Sequence, residues 1–96
     1  MKHYKITENN ITYDITEYDN GDKYWHLNDY HRENGPAIES GSGDKFWFKY
    51  GLRHRTGGPA IEWANGDKEY WYNNKYLNHI HSDKELIRYI KLLSIY

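Results

Sequence analysis

The side chains of this chain that could do chemistry are six histidines (His3, His26, His31, His54, His79, His81), fourteen carboxylates and thirteen basic residues, with no cysteine. Imidazole beside carboxylate is the usual material of acid–base catalysis and of metal sites. Neither use matches the spacing here. No His-Glu-x-x-His occurs, and His79-x-His81 is a lone pair. The lack of cysteine removes zinc–thiolate and disulfide chemistry. What does recur is histidine followed by arginine. His31-Arg32 opens HRENGPAIE (His31 to Glu39), and 23 residues later His54-Arg55 opens HRTGGPAIE (His54 to Glu62). A catalytic residue is needed once, whereas a scaffold residue recurs in every unit. The doubled pair therefore reads as a brace whose donors hold connector carbonyls or a carboxylate such as Glu39 or Glu62. No catalytic, cofactor-binding or metal-binding residue is expected, and the chain is read as not an enzyme.

The elements that position these pairs follow from the rest of the repeat. GDKYWHLNDYHRENGPAIES from Gly21 aligns with GDKFWFKYGLRHRTGGPAIEW from Gly43 once one residue is inserted in the second copy. A third copy starts at Gly66 with GDKEYWYNNKYLNH and breaks off after Asn78-His79. Repetition at this period indicates stacked supersecondary units with atypical ends, here about three. The alignment takes Trp25, Trp47 and Trp71 as equivalent. Asp19 to Gly21, Gly41 to Gly43 and Ala64 to Gly66 each fit a three-residue hairpin loop ending in a glycine with left-handed backbone. That loop sets Glu17 against Lys23, Glu39 against Lys45 and Glu62 against Lys68, opposite charges in all three cases. Gly35-Pro36 and Gly58-Pro59 mark bends before the next strand, where proline's missing donor does no harm.

Outside the repeats, Lys2 to Thr7 and Ile11 to Tyr18 flank Glu8 to Asn10 as a further strand pair. At the other end Ser82 to Glu85 reads as a capping box. Leu86, Ile90 and Leu93 recur at helical spacing, with Ile87 and Tyr89 widening the stripe. The chain is thus one domain, residues 1–96. It has an N-terminal strand pair (1–18), hairpin repeats (15–79) and a C-terminal helix (82–94). The expected fold is mainly β, an antiparallel sheet of about six to eight strands with one helix packed on the last hairpin. A homodimer contact through that helix is the alternative use of its stripe.

The period of 22 or 23 residues, the Gly-x-x-aromatic strand start at Gly21, Gly43 and Gly66, and the tight turns resemble the MORN repeat family in its variant form. Similar phrases occur in short proteins of bacteriophages and large DNA viruses. The resemblance covers roughly Ile15 to His79. It implies an elongated single-layer antiparallel sheet of stacked hairpins, which the C-terminal helix read above would cap, and it implies no chemistry.

The function is expected in the aromatic side chains: eleven Tyr, four Trp and two Phe in 96 residues. Such rings give large contact area for few rotatable bonds. Formal net charge is −1, and carboxylates sit beside the lysines at every turn, which opposes binding to phosphate backbones. Single-stranded nucleic acid stacked on an aromatic, basic sheet face is the alternative. No run approaches the roughly 18 apolar residues of a membrane span, and the default location is the cytoplasm. The leading expectation is a small protein-interaction module with no cofactor. By resemblance it is a phage-encoded inhibitor of a host or defence-system protein, with antitoxin-like binding as a close variant. Its expected contact residues are Trp63, Trp25, Trp47, Phe48, Tyr50, Arg53 and Arg55. Trp63 leads because the matching positions hold Tyr18 and Ser40, so the scaffold does not demand a ring there. Trp71 is expected under the helix.

Overall fold

Three turns that end in glycine set the register of the whole sheet. Gly21, Gly43 and Gly66 have φ of 94°, 103° and 97°, the left-handed region that costs a side chain but not a glycine. Each turn is closed by the same bond, Tyr18 N to Asp22 O, Ser40 N to Asp44 O and Trp63 N to Asp67 O, all at 2.9 Å. The structure, a computed structural model, describes residues 1–94. Its strands in chain order are β1 (Lys2–Glu8), β2 (Ile11–Glu17), β3 (Lys23–Leu27), β4 (Asp29–Tyr30), β5 (Ile38–Glu39) and β6 (Lys45–Phe46). They continue with β7 (Phe48–Lys49), β8 (Leu52–Arg53), β9 (Ile61–Glu62), β10 (Lys68–Glu69), β11 (Trp71–Tyr72) and β12 (Lys75–Tyr76), followed by one helix, α1 (Asp83–Leu93). Every pairing is antiparallel, and the main sheet runs β1-β2-β3-β5-β6-β9-β10 with β4 paired to β3. β7-β8 and β11-β12 are separate two-stranded pieces.

The three expected charge pairs are all present, Glu17 opposite Lys23, Glu39 opposite Lys45 and Glu62 opposite Lys68. The connectors add two more, because Lys23 also faces Glu39 and Lys45 also faces Glu62. One row across the sheet therefore alternates Glu17, Lys23, Glu39, Lys45, Glu62, Lys68. A slip of any strand by one residue would move its charge to the other face.

Two sequence expectations are corrected. The N-terminal turn is two residues, Asn9-Asn10 (φ 49° and 67°), and Glu8 belongs to β1 opposite Ile11. Tyr50-Gly51 and Asn73-Asn74 are turns of the same kind, whereas β3 and β4 are joined by Asn28 alone, so the inserted residue of the second copy sits in this turn. The tryptophan alignment also shifts. Ala37 N donates to Phe46 O and Ala60 N to Glu69 O, so Tyr70, not Trp71, is the counterpart of Trp25 and Trp47. Trp71 matches Phe48, since their carbonyls accept from Arg55 N and Arg32 N.

Burial follows from this phase. Tyr13, Ile15, Trp25 and Ala37 form one core cluster, and Tyr70, Leu77, Ile80 and Leu86 form another. Ser82 caps α1 by accepting from Glu85 N at 3.2 Å, and Glu85 in return accepts from His81 N at 3.2 Å. Tyr70 donates its hydroxyl to Asp83 at 2.7 Å, and burial followed by that carboxylate pushes its pKa up to about 12. The helix stripe is narrower than its spacing suggests. Leu86 is buried and Tyr89 and Ile90 pack on the second cluster, but Ile87 and Leu93 are 48% and 42% exposed. Among the described residues no helix is long and apolar enough to cross a membrane.

The charge row gives a graded prediction. Lys45→Glu sets a carboxylate between two others, whereas Lys68→Glu opposes one, so the first should cost about 1 kcal/mol and roughly twice the second. Urea unfolding of both variants checks the ratio, and equal losses would contradict the row.

Candidate functional site

The His-Arg phrase builds the same unit twice. Arg32 lies 3.6 Å over the Trp25 ring and Arg55 lies 3.9 Å over Trp47. Each guanidinium donates through Nη1 to its own connector, to Pro36 O at 3.2 Å and to Pro59 O at 3.1 Å. The glycine before each proline makes room for this. A Cβ on Gly35 would stand 2.9 Å from Arg32 Nη1, and one on Gly58 3.0 Å from Arg55 Nη1. Ala37 and Ala60 are fully buried beneath the bend. The glutamate that ends the phrase closes the unit: Glu39 accepts from Trp25 Nε1 at 3.3 Å, and Glu62 accepts from Arg55 Nη1 at 2.9 Å.

The histidines reach into the following hairpin. His31 Nδ1 accepts from Tyr50 N at 2.9 Å and His54 Nδ1 accepts from Asn73 N at 3.0 Å, which leaves the proton of each neutral ring on Nε2. His31 is fully buried, with Nε2 bonded to Glu33. Asp22 and Asp44 act alike at the other end of the strands, accepting from Gly41 N and Ala64 N at 2.7 Å. The His54 pKa is held below the ordinary 6.5, first by burial and then by Lys49. Among the described residues no three His, Asp or Glu side chains gather as a metal site.

The expected contact residues divide between structural and open positions. Trp25 is corrected: only 3% exposed, it lies under Arg32 and against Tyr13 and offers no contact surface. Trp47 and Arg55 are half-buried in each other. Arg53 lies between Phe48 and Trp71, 5.8 and 5.0 Å from their rings, and Phe48 packs on Tyr30. Tyr50 is 64% exposed, with its ring 4.2 Å from His31. Trp63 is half-buried, edge-on to Phe46, with Nε1 donating to Glu69 Oε2 at 2.8 Å. Trp71 is not under the helix; it donates to the other oxygen of Glu69 at 3.1 Å and packs on Tyr76.

Register places Tyr24, Ile38, Phe46, Ile61 and Glu69 in one row on the face opposite the Glu/Lys row. Trp63 joins that face through Phe46 and Glu69, and Tyr18 joins it through its contact with Tyr24 at 5.4 Å. Tyr18 and Tyr24 are not among the contact residues expected from sequence, although strand alternation puts Tyr24 on the face opposite Trp25 and the three-residue loops put Tyr18, Ser40 and Trp63 at matching positions. No protein-family model matches this chain, and neither does any curated protein or solved structure.

His54 supplies a pH prediction. A histidine whose pKa is lowered by folding contributes stability that is complete above its ordinary 6.5 and is lost as pH falls through the lowered value, because the unfolded chain then binds the extra proton. His54→Asn keeps an acceptor near the Nδ1 position and does not titrate. The difference in Tm between wild type and this variant should narrow as pH falls below 6.5; a constant difference would contradict the assignment.

Proposed function

We propose that the chain is a non-enzymatic protein-binding module of about three MORN-like hairpin units, and that it meets its partner with the aromatic face of its sheet. The observation that carries this reading is the unequal cover of the two faces. One face buries Trp25 under Arg32 and Tyr70 under α1. On the other, Ile61 is buried but the rings of Tyr18, Tyr24, Phe46, Trp63 and Trp71 are all half-buried or exposed, their edges held in place by one another and by Glu69. Pre-ordered rings of this kind lose little entropy on binding and are the usual centres of interface energy. The resemblance read from the repeat phrase points to a host or defence-system protein as the partner, with inhibition as the outcome. Glu69, placed between two indoles, would repel the phosphates of a single-stranded nucleic acid and favours a protein instead.

Stability and binding should separate by face. Trp25→Ala removes a buried ring and is expected to cost about 3–5 kcal/mol. Tyr18→Ala and Trp63→Ala should lower Tm by much less and weaken the captured partner by about 2 kcal/mol or more. Ile87→Ala, on the exposed side of α1, should bind as wild type. Thermal melts with calorimetric titration check this. Loss of binding in the helix variant alone, or a steeply salt-dependent affinity for oligonucleotides, would replace the reading.

A further inference from the structure

The two His-Arg units share the arginine over tryptophan, the bond to the connector carbonyl and the histidine brace, and they differ most where their outward edges end. In the first, carboxylates of the chain close both edges: Glu8 takes Arg32 Nε and Nη2 at 3.1 and 2.8 Å, and Glu33 takes His31 Nε2. In the second, Thr56 stands where Glu33 would be, and Gly57 where Asn34 would be. Arg55 bonds only through Nη1, to Pro59 O and Glu62, and His54 only through Nδ1. Among the described residues nothing accepts from Arg55 Nε or Nη2, or from His54 Nε2. Among the described residues no buried side-chain donor lacks a partner, so these three donors reach solvent.

The two residues that carry these donors line one cleft. Arg55, His54, Lys49 and Trp47 line a cleft of about 550 Å³ together with Gly35 and Pro36 of the preceding connector. That volume is in the usual range for a small ligand or an inserted side chain, roughly 300–1,000 Å³. Trp47 fixes the plane of the guanidinium, as Trp25 does for Arg32, so the Nε–Nη2 edge is already oriented. Lys49 and Arg32 add positive charge to the lining and Glu33 one negative charge; Arg32 and Glu33 are already engaged by Glu8 and His31, and Glu62, on Nη1, leaves the Nε–Nη2 edge of Arg55 untouched.

We propose that this cleft binds a carboxylate. Arg55 would grip it with the two-donor edge that Arg32 uses on Glu8, and His54 Nε2 would donate as His31 does to Glu33. The first unit supplies the pattern from the chain itself, and it is a carboxylate pattern. Bidentate guanidinium–carboxylate bonding is among the stronger and more directional polar contacts. The ligand is an acidic side chain or the terminal carboxylate of a polypeptide, and the site stands independently of the aromatic face.

The test is a ¹H–¹⁵N NMR titration of the intact protein with three probes: N-acetylglutamate α-amide, N-acetylalanine and inorganic phosphate. Saturable shifts at Arg55 Nε–H and at the Asn73 amide, which reports on His54, are expected with at least one carboxylate. The tighter of the two names the source. Thr56→Glu rebuilds the first unit's closure at an exposed position and should weaken binding on the order of tenfold, and Arg55→Lys, which loses the two-donor edge, should do likewise. The proposal is overturned if neither carboxylate saturates at these groups, if phosphate binds as tightly as both, or if Thr56→Glu binds like wild type.

Discussion

An arginine laid flat on a tryptophan does for this sheet what a second layer does in thicker folds. The molecule is only 19 Å across its thinnest dimension, and α1 covers only the Tyr70 end of one face. At Trp25 and Trp47 the cover is a guanidinium at 3.6 and 3.9 Å. Its aliphatic stem shields the ring and its charge is drawn to the π face, a contact of about 0.5–2 kcal/mol. The price of using a charged lid is that its donors must be satisfied. That requirement accounts for Pro36 and Pro59 as acceptors, for the glycines beside them, and for Glu8, Glu39 and Glu62 around the rim. The odd phrase HRxxGPAIE is the list of parts this lid needs.

The second constraint is that successive hairpins must be held to one another. Backbone pairing does this in the middle of the sheet, while side chains do it at the ends. His31 and His54 accept the first amide of the next two-residue turn, and Asp22 and Asp44 accept an amide of the next three-residue turn. Where the phrase stops, the means changes. Leu77 N donates to Tyr70 O as His31 N does to Trp25 O, but Leu77 carries no acceptor and joins the cluster that contains Leu86 of α1. A polar brace has been exchanged for apolar packing at the point where a helix takes the place of a hairpin.

How much of this was legible in the sequence depended on whether local chemistry fixed the answer. The turns at Gly21, Gly43 and Gly66 were legible because one loop length satisfied three Glu/Lys pairs at once. The bracing role of Arg32 and Arg55 was legible from their recurrence. The third copy was misread by one residue because Glu69-Tyr70-Trp71 offers two aromatic rings for one buried position, and only the phase of the backbone bonds decides between them. Asn9-Asn10 hid a two-residue turn inside what looked like a three-residue loop. Trp25 looked like contact surface because its cover is an arginine of the connector between β4 and β5, which no periodicity reveals. The unequal closure of the two units was visible in the sequence as Glu33 against Thr56. Its meaning needed the geometry of His31.

The central claim, that side chains of one hairpin lock the turn of the next, is tested most directly by native-state hydrogen exchange at the Tyr50 and Asn73 amides. Both lie in exposed two-residue turns, and the Asn9 amide of the like turn without a histidine brace serves as the internal reference. The account predicts that Tyr50 and Asn73 exchange with the protection of the ladder amides of Trp25 and Trp47, opening only when the sheet does. Exchange of either at the rate of Asn9 would contradict it.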